Sequence, residues 1–119
     1  MDLGKLMANF QDIVGLRLGR AQLTTSYATV YTCPADKRAY IKDINLCNTH
    51  SGNSNAYVAI VPSGQTAGAA YEIISNLQMS SYSTHRWTGL QILNAGDTIQ
   101  VKGSDSNYVT VYISGAEAV

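Results

Sequence analysis

From Gln22 onward the sequence is a succession of short runs rich in β-branched and aromatic residues, and Gly, Asn, Asp, Ser or Pro separates each run from the next. This pattern is typical of an all-β sandwich or barrel, because each run has the length of one strand and each break favours a turn. We therefore expect a single antiparallel β-sandwich, Ig-like or jelly-roll-like, with about seven to eight strands. The predicted strands cover residues 28–33, 38–48, 56–62, 71–75, 85–93, 97–103 and 108–115.

The last two predicted strands alternate between apolar and polar residues, which indicates one buried face on each. The residues expected to face the core are Ile99, Val101, Val109, Val111 and Ile113. We interpret these two strands as a hairpin. In the strand before them, Leu90 and Ile92 have the same spacing, so we expect them to line the same side of the core and Trp87 to lie on the opposite face.

The second predicted strand breaks the alternation. Ile41 is out of phase with Ile44 and Leu46, although all three are typical core residues. A β-bulge near Lys42 and Asp43 would restore the register, because a bulge inserts one extra residue into a strand.

The first 19 residues have a different pattern from the rest of the chain. Apolar residues recur there at the three- and four-residue spacing of an amphipathic helix, and Gly15 and Gly19 end the pattern early. We predict an arm or short helix over residues 1–19 and a β-sandwich domain over residues 20–119. An apolar stripe needs a surface to bury against, either on the chain's own sandwich or on a neighbouring subunit. The candidate docking residues are Leu3, Leu6, Met7, Phe10, Ile13 and Val14.

The charge composition disfavours several classes of partner. Eight Lys and Arg balance eight Asp and Glu, and charged residues are 13% of the chain, against about 25% in typical soluble proteins. Nucleic acid and anionic membranes are therefore not expected as partners, because both select a basic surface. A weakly charged surface suits a chain that packs against copies of itself or against other subunits.

Targeting segments are not predicted either. No run approaches the ~20 apolar residues of a membrane-spanning helix, and the N-terminus lacks the basic start and unbroken apolar stretch of a signal peptide. We expect the protein to be made and kept in a cytoplasm until it is assembled.

Cysteine and histidine are too scattered to indicate a metal site. Cys47 and His50 are close in sequence, whereas Cys33 and His85 are isolated, and zinc sites use paired clusters of ligands. The two cysteines are expected to be free, buried thiols, since two cysteines do not make a disulfide scaffold in a chain of this size. No metal and no cofactor are therefore predicted.

Catalytic motifs are also missing from the sequence. It contains neither a G-x-S-x-G nucleophile motif nor a glycine-rich phosphate loop, and its carboxylates are dispersed, whereas glycoside hydrolysis needs two aimed at one bond. Asp97 in LNAGDTIQV follows Gly96 between two apolar runs. We interpret Asp97 as a turn former that accepts hydrogen bonds from nearby backbone N–H groups. No catalytic residue is assigned, and we expect the protein not to be an enzyme.

Tyrosine dominates the aromatic residues, with eight Tyr against one Trp and one Phe. Tyr108 and Tyr112 fall opposite the predicted core row of the last strand, so they are candidate interface residues; the alternative is that Tyr simply has high strand propensity. Trp87 and Tyr82 are two further candidates. Together with the loop NTHSGNSN they would suit a glycan, because aromatic rings stack on sugars and amides bond their hydroxyls.

Five turn and strand-end motifs occur in a fixed order along residues 20–119. They are Y-T-x-P-A, C-N (followed directly by Thr49 in this chain), V-P-x-G, L-x-A-G-D-x-I and V-x-V-x-I-S-G-x-E. In this order they resemble small β-sandwich structural proteins of tailed bacteriophages. The matching residues are Tyr31, Thr32, Pro34, Ala35, Cys47, Asn48, Thr49, Val61, Pro62, Gly64, Leu93, Ala95, Gly96, Asp97, Ile99, Val109, Val111, Ile113, Ser114, Gly115 and Glu117.

The resemblance implies a non-enzymatic virion component. Proteins of this kind lie in the capsid decoration layer, the neck, or the tail and its fibres. The leading expectation is a capsid decoration or cement protein that forms a homo-oligomer, for example a trimer, and docks on the major capsid protein. The alternative is a neck, tail or fibre module that binds neck or tail proteins and a receptor or glycan. The resemblance leaves out the first 19 residues.

Overall fold

The computed structural model describes residues 15–118, which form a sandwich of two antiparallel sheets. Sheet A has the strand order β1-β8-β3-β6 and sheet B the order β2-β7-β4-β5. The strands are β1 (Leu16–Gln22), β2 (Ala28–Thr32), β3 (Arg38–Asn48), β4 (Ser54–Val61), β5 (Glu72–Met79), β6 (Thr84–Leu93), β7 (Thr98–Gly103) and β8 (Val109–Ala118), with one short 3₁₀ turn at Ala69–Tyr71.

The β-sandwich prediction is confirmed, and the topology is that of a jelly roll. Chain connections repeatedly cross from one sheet to the other, and the first and last strands are neighbours in sheet A. Eight strands in two four-stranded sheets with this order are the jelly-roll arrangement. Of the two sandwich types expected from the sequence, Ig-like and jelly-roll-like, the structure is therefore the jelly roll.

The core lies between the sheets, and its residues come from alternate positions of the strands. Ile99, Val101, Val109, Val111 and Ile113 are at most 1% exposed, as predicted. The predicted hairpin is wrong, because β7 pairs with β2 and β4 whereas β8 pairs with β1 and β3. Alternation identifies the buried face of a strand and not its partner, so two successive strands with buried faces can lie in opposite sheets.

The prediction for β6 has the wrong face. Leu90 and Ile92 are 54% and 52% exposed, while Leu93 is fully buried and Trp87 is half-buried against the core. A strand places every second residue on one side. Leu93 and Trp87 lie on the side that faces the core, so Leu90 and Ile92 lie on the outer side. Gly89 leaves room for the Trp87 ring, since a Cβ at Gly89 would lie 3.1 Å from the indole.

The bulge predicted in β3 is confirmed. The pairing of β3 shifts between Ile41 and Asp43 against both β6 and β8. As a result Ile41 and Ile44 are both fully buried although they are three residues apart.

The N-terminal boundary falls earlier than predicted. β1 begins at Leu16 and pairs along β8 as far as Gln22, so a boundary between residues 19 and 20 would divide a strand. Gly19 ends the helix-like pattern in the sequence, but in the structure it permits the close approach of Val30 from the neighbouring sheet. The candidate docking residues Leu3, Leu6, Met7, Phe10, Ile13 and Val14 lie outside the described residues.

Candidate interaction surfaces

Two of the four candidate interface residues, which are three tyrosines and one tryptophan, are well exposed. Tyr82 is 70% exposed in the turn between β5 and β6, where its backbone has a left-handed φ of 54°. Tyr112 is 42% exposed on the outer face of sheet A. Its hydroxyl accepts a hydrogen bond from Nε of Arg20 at 2.9 Å, and the guanidinium lies over the ring at 5.4 Å from the centroid. Arg20 therefore covers part of the Tyr112 ring, whereas Tyr82 is the more accessible of the two.

The other two candidates are only half-exposed, because both pack against the core. Tyr108 immediately precedes β8 and stacks on the ring of His50, with centroids 4.2 Å apart and planes 2° from parallel. Trp87 lies in β6, and its indole packs against Gly89. The sequence predicts that Tyr108 is exposed unless another group covers it, and the His50 ring covers one face of its ring.

A fully buried amide, Asn48, organises one end of the sandwich. Its Nδ2 donates to the backbone oxygens of Gly52 at 2.9 Å, Met79 at 3.2 Å and Ser80 at 3.0 Å. Its Oδ1 accepts the backbone N–H of His50 at 3.1 Å. Asn48 thus joins the loop after β3 to the turn after β5. We call this group of loops, residues 49–53, 80–83 and 104–108, the loop end.

Further backbone contacts complete the loop end. The N–H of Tyr82 donates to the oxygen of His50 at 3.1 Å, and the N–H of Thr49 donates to the oxygen of Tyr108 at 2.8 Å. The structure therefore brings Tyr82 beside the NTHSGNSN loop, as the glycan interpretation requires. Trp87 does not join them, because its indole faces the core side of β6.

A second polar cluster covers the outer face of sheet B and was missed by sequence reasoning. Lys102 lies between the rings of Tyr27 and Tyr57, with Nζ 4.8 and 4.4 Å from their centroids. The hydroxyl of Tyr27 donates to Glu72, and that of Tyr57 donates to Oδ1 of Asn76 at 2.9 Å. We call these five residues the tyrosine–lysine cluster.

The charges in the tyrosine–lysine cluster are compensated within it. The hydrogen bond from Tyr27 lowers the pKa of Glu72, while burial and then the same hydrogen bond raise the pKa of Tyr27. Four different strands or their flanks supply these side chains, so the cluster ties sheet B together across its outer face. The sequence offers no signal for it, because Tyr27 and Glu72 are 45 residues apart.

The opposite end of the sandwich from the loop end holds a third polar group. Tyr31 donates its hydroxyl to Glu117, and Nζ of Lys37 lies 3.7 Å from the same carboxylate. Cys33 is buried beside them, and burial raises the pKa of its thiol. Cys33 is therefore a protonated structural thiol. Cys47 is also free but only half-buried, so the prediction of buried thiols holds for Cys33 alone.

Asp97 has the structural role expected from its sequence context. Its Oδ1 accepts the N–H of Ser63 at 3.0 Å and its Oδ2 accepts the N–H of Asn94 at 2.9 Å. Gly96 has a φ of 85° in the same turn. Both carboxylate oxygens therefore hold backbone N–H groups, and the turn between β6 and β7 is tied to the loop after β4.

Residues 15–118 hold neither a candidate metal site nor a helix that could span a membrane. They contain no group of three or more His, Cys, Asp or Glu side chains placed to hold a metal ion. Nor does any helix in that range have the length and apolar character needed to cross a membrane.

The fold is similar to that of a chain from a bacterial pilus. A chain from a structure described as "Bacillus endospore appendages form a novel family of disulfide-linked pili" matches 91% of this chain and 85% of its own, with a TM-score of 0.53 and 13% identity. A chain of infectious bursal disease virus, Gx strain, matches 88% of this chain and 31% of its own, with a TM-score of 0.48 and 8% identity. At these identities the likeness to the pilus chain concerns the fold. No protein-family model and no curated protein matches the sequence.

Proposed function

We propose that this protein is a non-enzymatic structural subunit of a tailed-phage virion, a capsid decoration protein that docks on the particle through residues 1–14. The observation that carries the proposal is the place of the motifs that resemble phage proteins. They lie at the ends of β2, β3 and β4, in the turn between β6 and β7, and along β8, so they are the residues that shape this jelly roll. The likeness of the fold to a pilus chain supports an assembly role as well.

The polar side chains of the described domain support a structural role for another reason. Asp97, Glu72 and Glu117 all accept hydrogen bonds from backbone N–H or tyrosine O–H groups, and Asp43 forms an ion pair with Arg86. A carboxylate that acts as a general acid or base needs access to the substrate. These four groups are instead used to join strands and turns.

Docking through the N-terminal segment is tested with the full chain. The double variant Leu6→Ser/Phe10→Ser removes two large apolar side chains from the stripe and changes no residue of the described sandwich. We expect wild type to cosediment with purified particles that lack the protein and the variant to be lost from the pellet. The matched control is Leu16→Ser, since Leu16 is an exposed apolar residue that lies inside β1.

Two results would contradict the docking proposal. One is full binding of the double variant to the particles. The other is a purified particle in which the protein is undetectable by mass spectrometry. A copy number close to that of the major capsid protein would support the decoration layer, whereas a few copies per particle would point to the neck or tail.

A receptor- or glycan-binding module is the second candidate, and the loop end favours it. Tyr82 is 70% exposed beside a loop that Asn48 anchors, and an anchored aromatic platform suits sugar stacking. A glycan array with wild type and Tyr82→Ala tests this function. Binding that Tyr82→Ala abolishes would support it, and an array without binding would remove it.

A further inference from the structure

The β6 edge, meaning the unpaired side of Thr84–Leu93, is the least protected edge of the sandwich. β6 is ten residues long and lies at the end of sheet A, with β3 as its partner on one side. No strand within residues 15–118 pairs with its other side. An edge of this kind carries a row of free backbone N–H and C=O groups that can pair with another strand.

The other three edge strands carry features that discourage such pairing. β1 has a register shift after Arg17 and carries exposed arginines. β2 is five residues long and also has a shift. β5 has two shifts against β4, and Asn76 within it has a left-handed φ of 49°. Bulges, charges and short length are the usual means of blocking edge-to-edge association. β6 also has one register shift, against β3 between Thr88 and Gln91, but it is the longest of the four edge strands, and its outer residues Leu90 and Ile92 are uncharged.

The outer face of β6 carries two neighbouring exposed aliphatic side chains. Leu90 and Ile92 are 54% and 52% exposed, and they are neighbours on the same face. The charge nearest to them on this row, Arg86, is bound to Asp43 of its own chain. A second copy that approached β6 would therefore meet two aliphatic side chains and no unpaired arginine.

We propose that β6 pairs antiparallel with β6 of a second copy about a two-fold axis beside Leu90. The pairing would join the two copies of sheet A into one continuous eight-stranded sheet. A two-fold contact uses the same patch on both copies, and directly opposite residues in an antiparallel pair lie on the same face. With the axis at Leu90, residues 87–93 overlap, Leu90 faces its own copy, and each Ile92 lies diagonally next to the partner's Leu90.

The nature of the edge explains why a second copy of β6 fits better than the N-terminal segment. The free groups of an edge strand are backbone donors and acceptors, and an extended strand supplies their complement. The spacing of residues 1–14 is helical, and a helix satisfies its own backbone hydrogen bonds. Residues 1–14 also precede β1, at the opposite edge of sheet A. The pairing of β6 is thus independent of particle docking through residues 1–14.

The first test is the oligomeric state of the full chain by sedimentation velocity. We expect wild type to be a dimer and Leu90→Lys to be a monomer at the same concentration, because lysine on an edge strand opposes pairing. Thr29→Lys, on the exposed face of the β2 edge, is the matched control and should remain a dimer. Circular dichroism and the thermal midpoint of each variant establish that it is folded.

The second test reports the geometry directly. Leu90→Cys in a Cys47→Ser background should form a disulfide-linked dimer on mild oxidation, because opposite residues in an antiparallel pair have Cα atoms about 4.5–5.5 Å apart, within the range of a disulfide. Thr29→Cys in the same background should remain uncrosslinked.

Three outcomes overturn the proposal. Wild type could be monomeric, Leu90→Lys could leave the dimer intact, or the dimer could be lost in Leu6→Ser/Phe10→Ser while Leu90→Lys retains it. The last outcome would make residues 1–14 the occupant or the contact. A failure of particle docking with an intact β6 dimer would instead refute the docking proposal alone.

Discussion

Replacement of Asn48 by alanine should be one of the most damaging polar-to-apolar changes in the described domain. The Nδ2 group has two hydrogens, which are shared among three backbone oxygens, and Oδ1 accepts one N–H. Counting two donated bonds and one accepted bond at about 1 kcal/mol each, we expect Asn48→Ala to lower the free energy of unfolding by about 3 kcal/mol. The buried carbonyls would lose their donor in a site that is fully closed to solvent.

Urea unfolding measured by circular dichroism checks this value, provided that the m-value does not change. The matched control is Asn45→Ala, which removes the same side chain from an exposed position in the same strand. We expect the control to stay within about 0.5 kcal/mol of wild type.

Asn48→Asp separates lost hydrogen bonds from lost packing. It keeps the size of the side chain and replaces the donating amide with an acceptor that faces three carbonyl oxygens. We expect Asn48→Asp to be at least as unstable as Asn48→Ala at neutral pH and to recover stability in acid, where the protonated carboxyl can donate. A loss below about 1 kcal/mol for Asn48→Ala, or an Asn48→Asp variant as stable as wild type at neutral pH, would refute the assignment of Asn48 as the organiser of the loop end.

Three more changes have defined outcomes. Asp97→Asn leaves one acceptor oxygen for two backbone N–H groups, so it should cost about 1–2 kcal/mol in urea unfolding while particle binding is retained; loss of binding in a folded variant would give Asp97 a function. The hydrogen bond from Tyr27 lowers the pKa of folded Glu72 below its ordinary 4.5. The carboxylate therefore stabilises the fold above pH 4.5, and this contribution is lost as the pH falls through the lowered pKa. The free energies of unfolding of wild type and Glu72→Gln should differ at neutral pH and converge in acid, and a difference that stays constant with pH would contradict this. Gly115→Ala places a Cβ against a backbone carbonyl of β3 and should destabilise the folded protein by about 2 kcal/mol or more in a thermal melt. Gly68→Ala is the control, because Gly68 has open space around it, and it should leave the melting temperature unchanged.

The regular spacing of apolar residues was enough to predict the fold class and the buried faces of β7 and β8. It also predicted the bulge in β3, because Ile41 and Ile44 both needed to reach the core. It failed at β6, where Leu90 and Ile92 have the composition of a core row but Leu93 and Trp87 occupy it. Spacing identifies two faces of a strand, and the choice between them depends on neighbours that belong to other strands.

The candidate sites were predictable only where one local segment makes them. Asp97 lies within its own turn, and its role could be predicted from LNAGD alone. Asn48 bonds to residues up to 32 positions away, and the tyrosine–lysine cluster needs four strands to be in place. Such contacts depend on the jelly-roll order of the strands, which spacing does not reveal.

The proposed contacts use different parts of the chain, so one subunit can make them at the same time. Residues 1–14 lead into β1 at one edge of sheet A, β6 is the other edge, and the loop end lies past Asn48, at the far end of β1 from Leu16. A dimer through β6 would present two docking segments, and the second would bind at the effective concentration created by the first. Leu90→Lys should therefore weaken particle binding although it changes no docking residue. If particle binding is instead unchanged while the dimer is lost, each subunit docks alone and the β6 contact serves another stage of assembly.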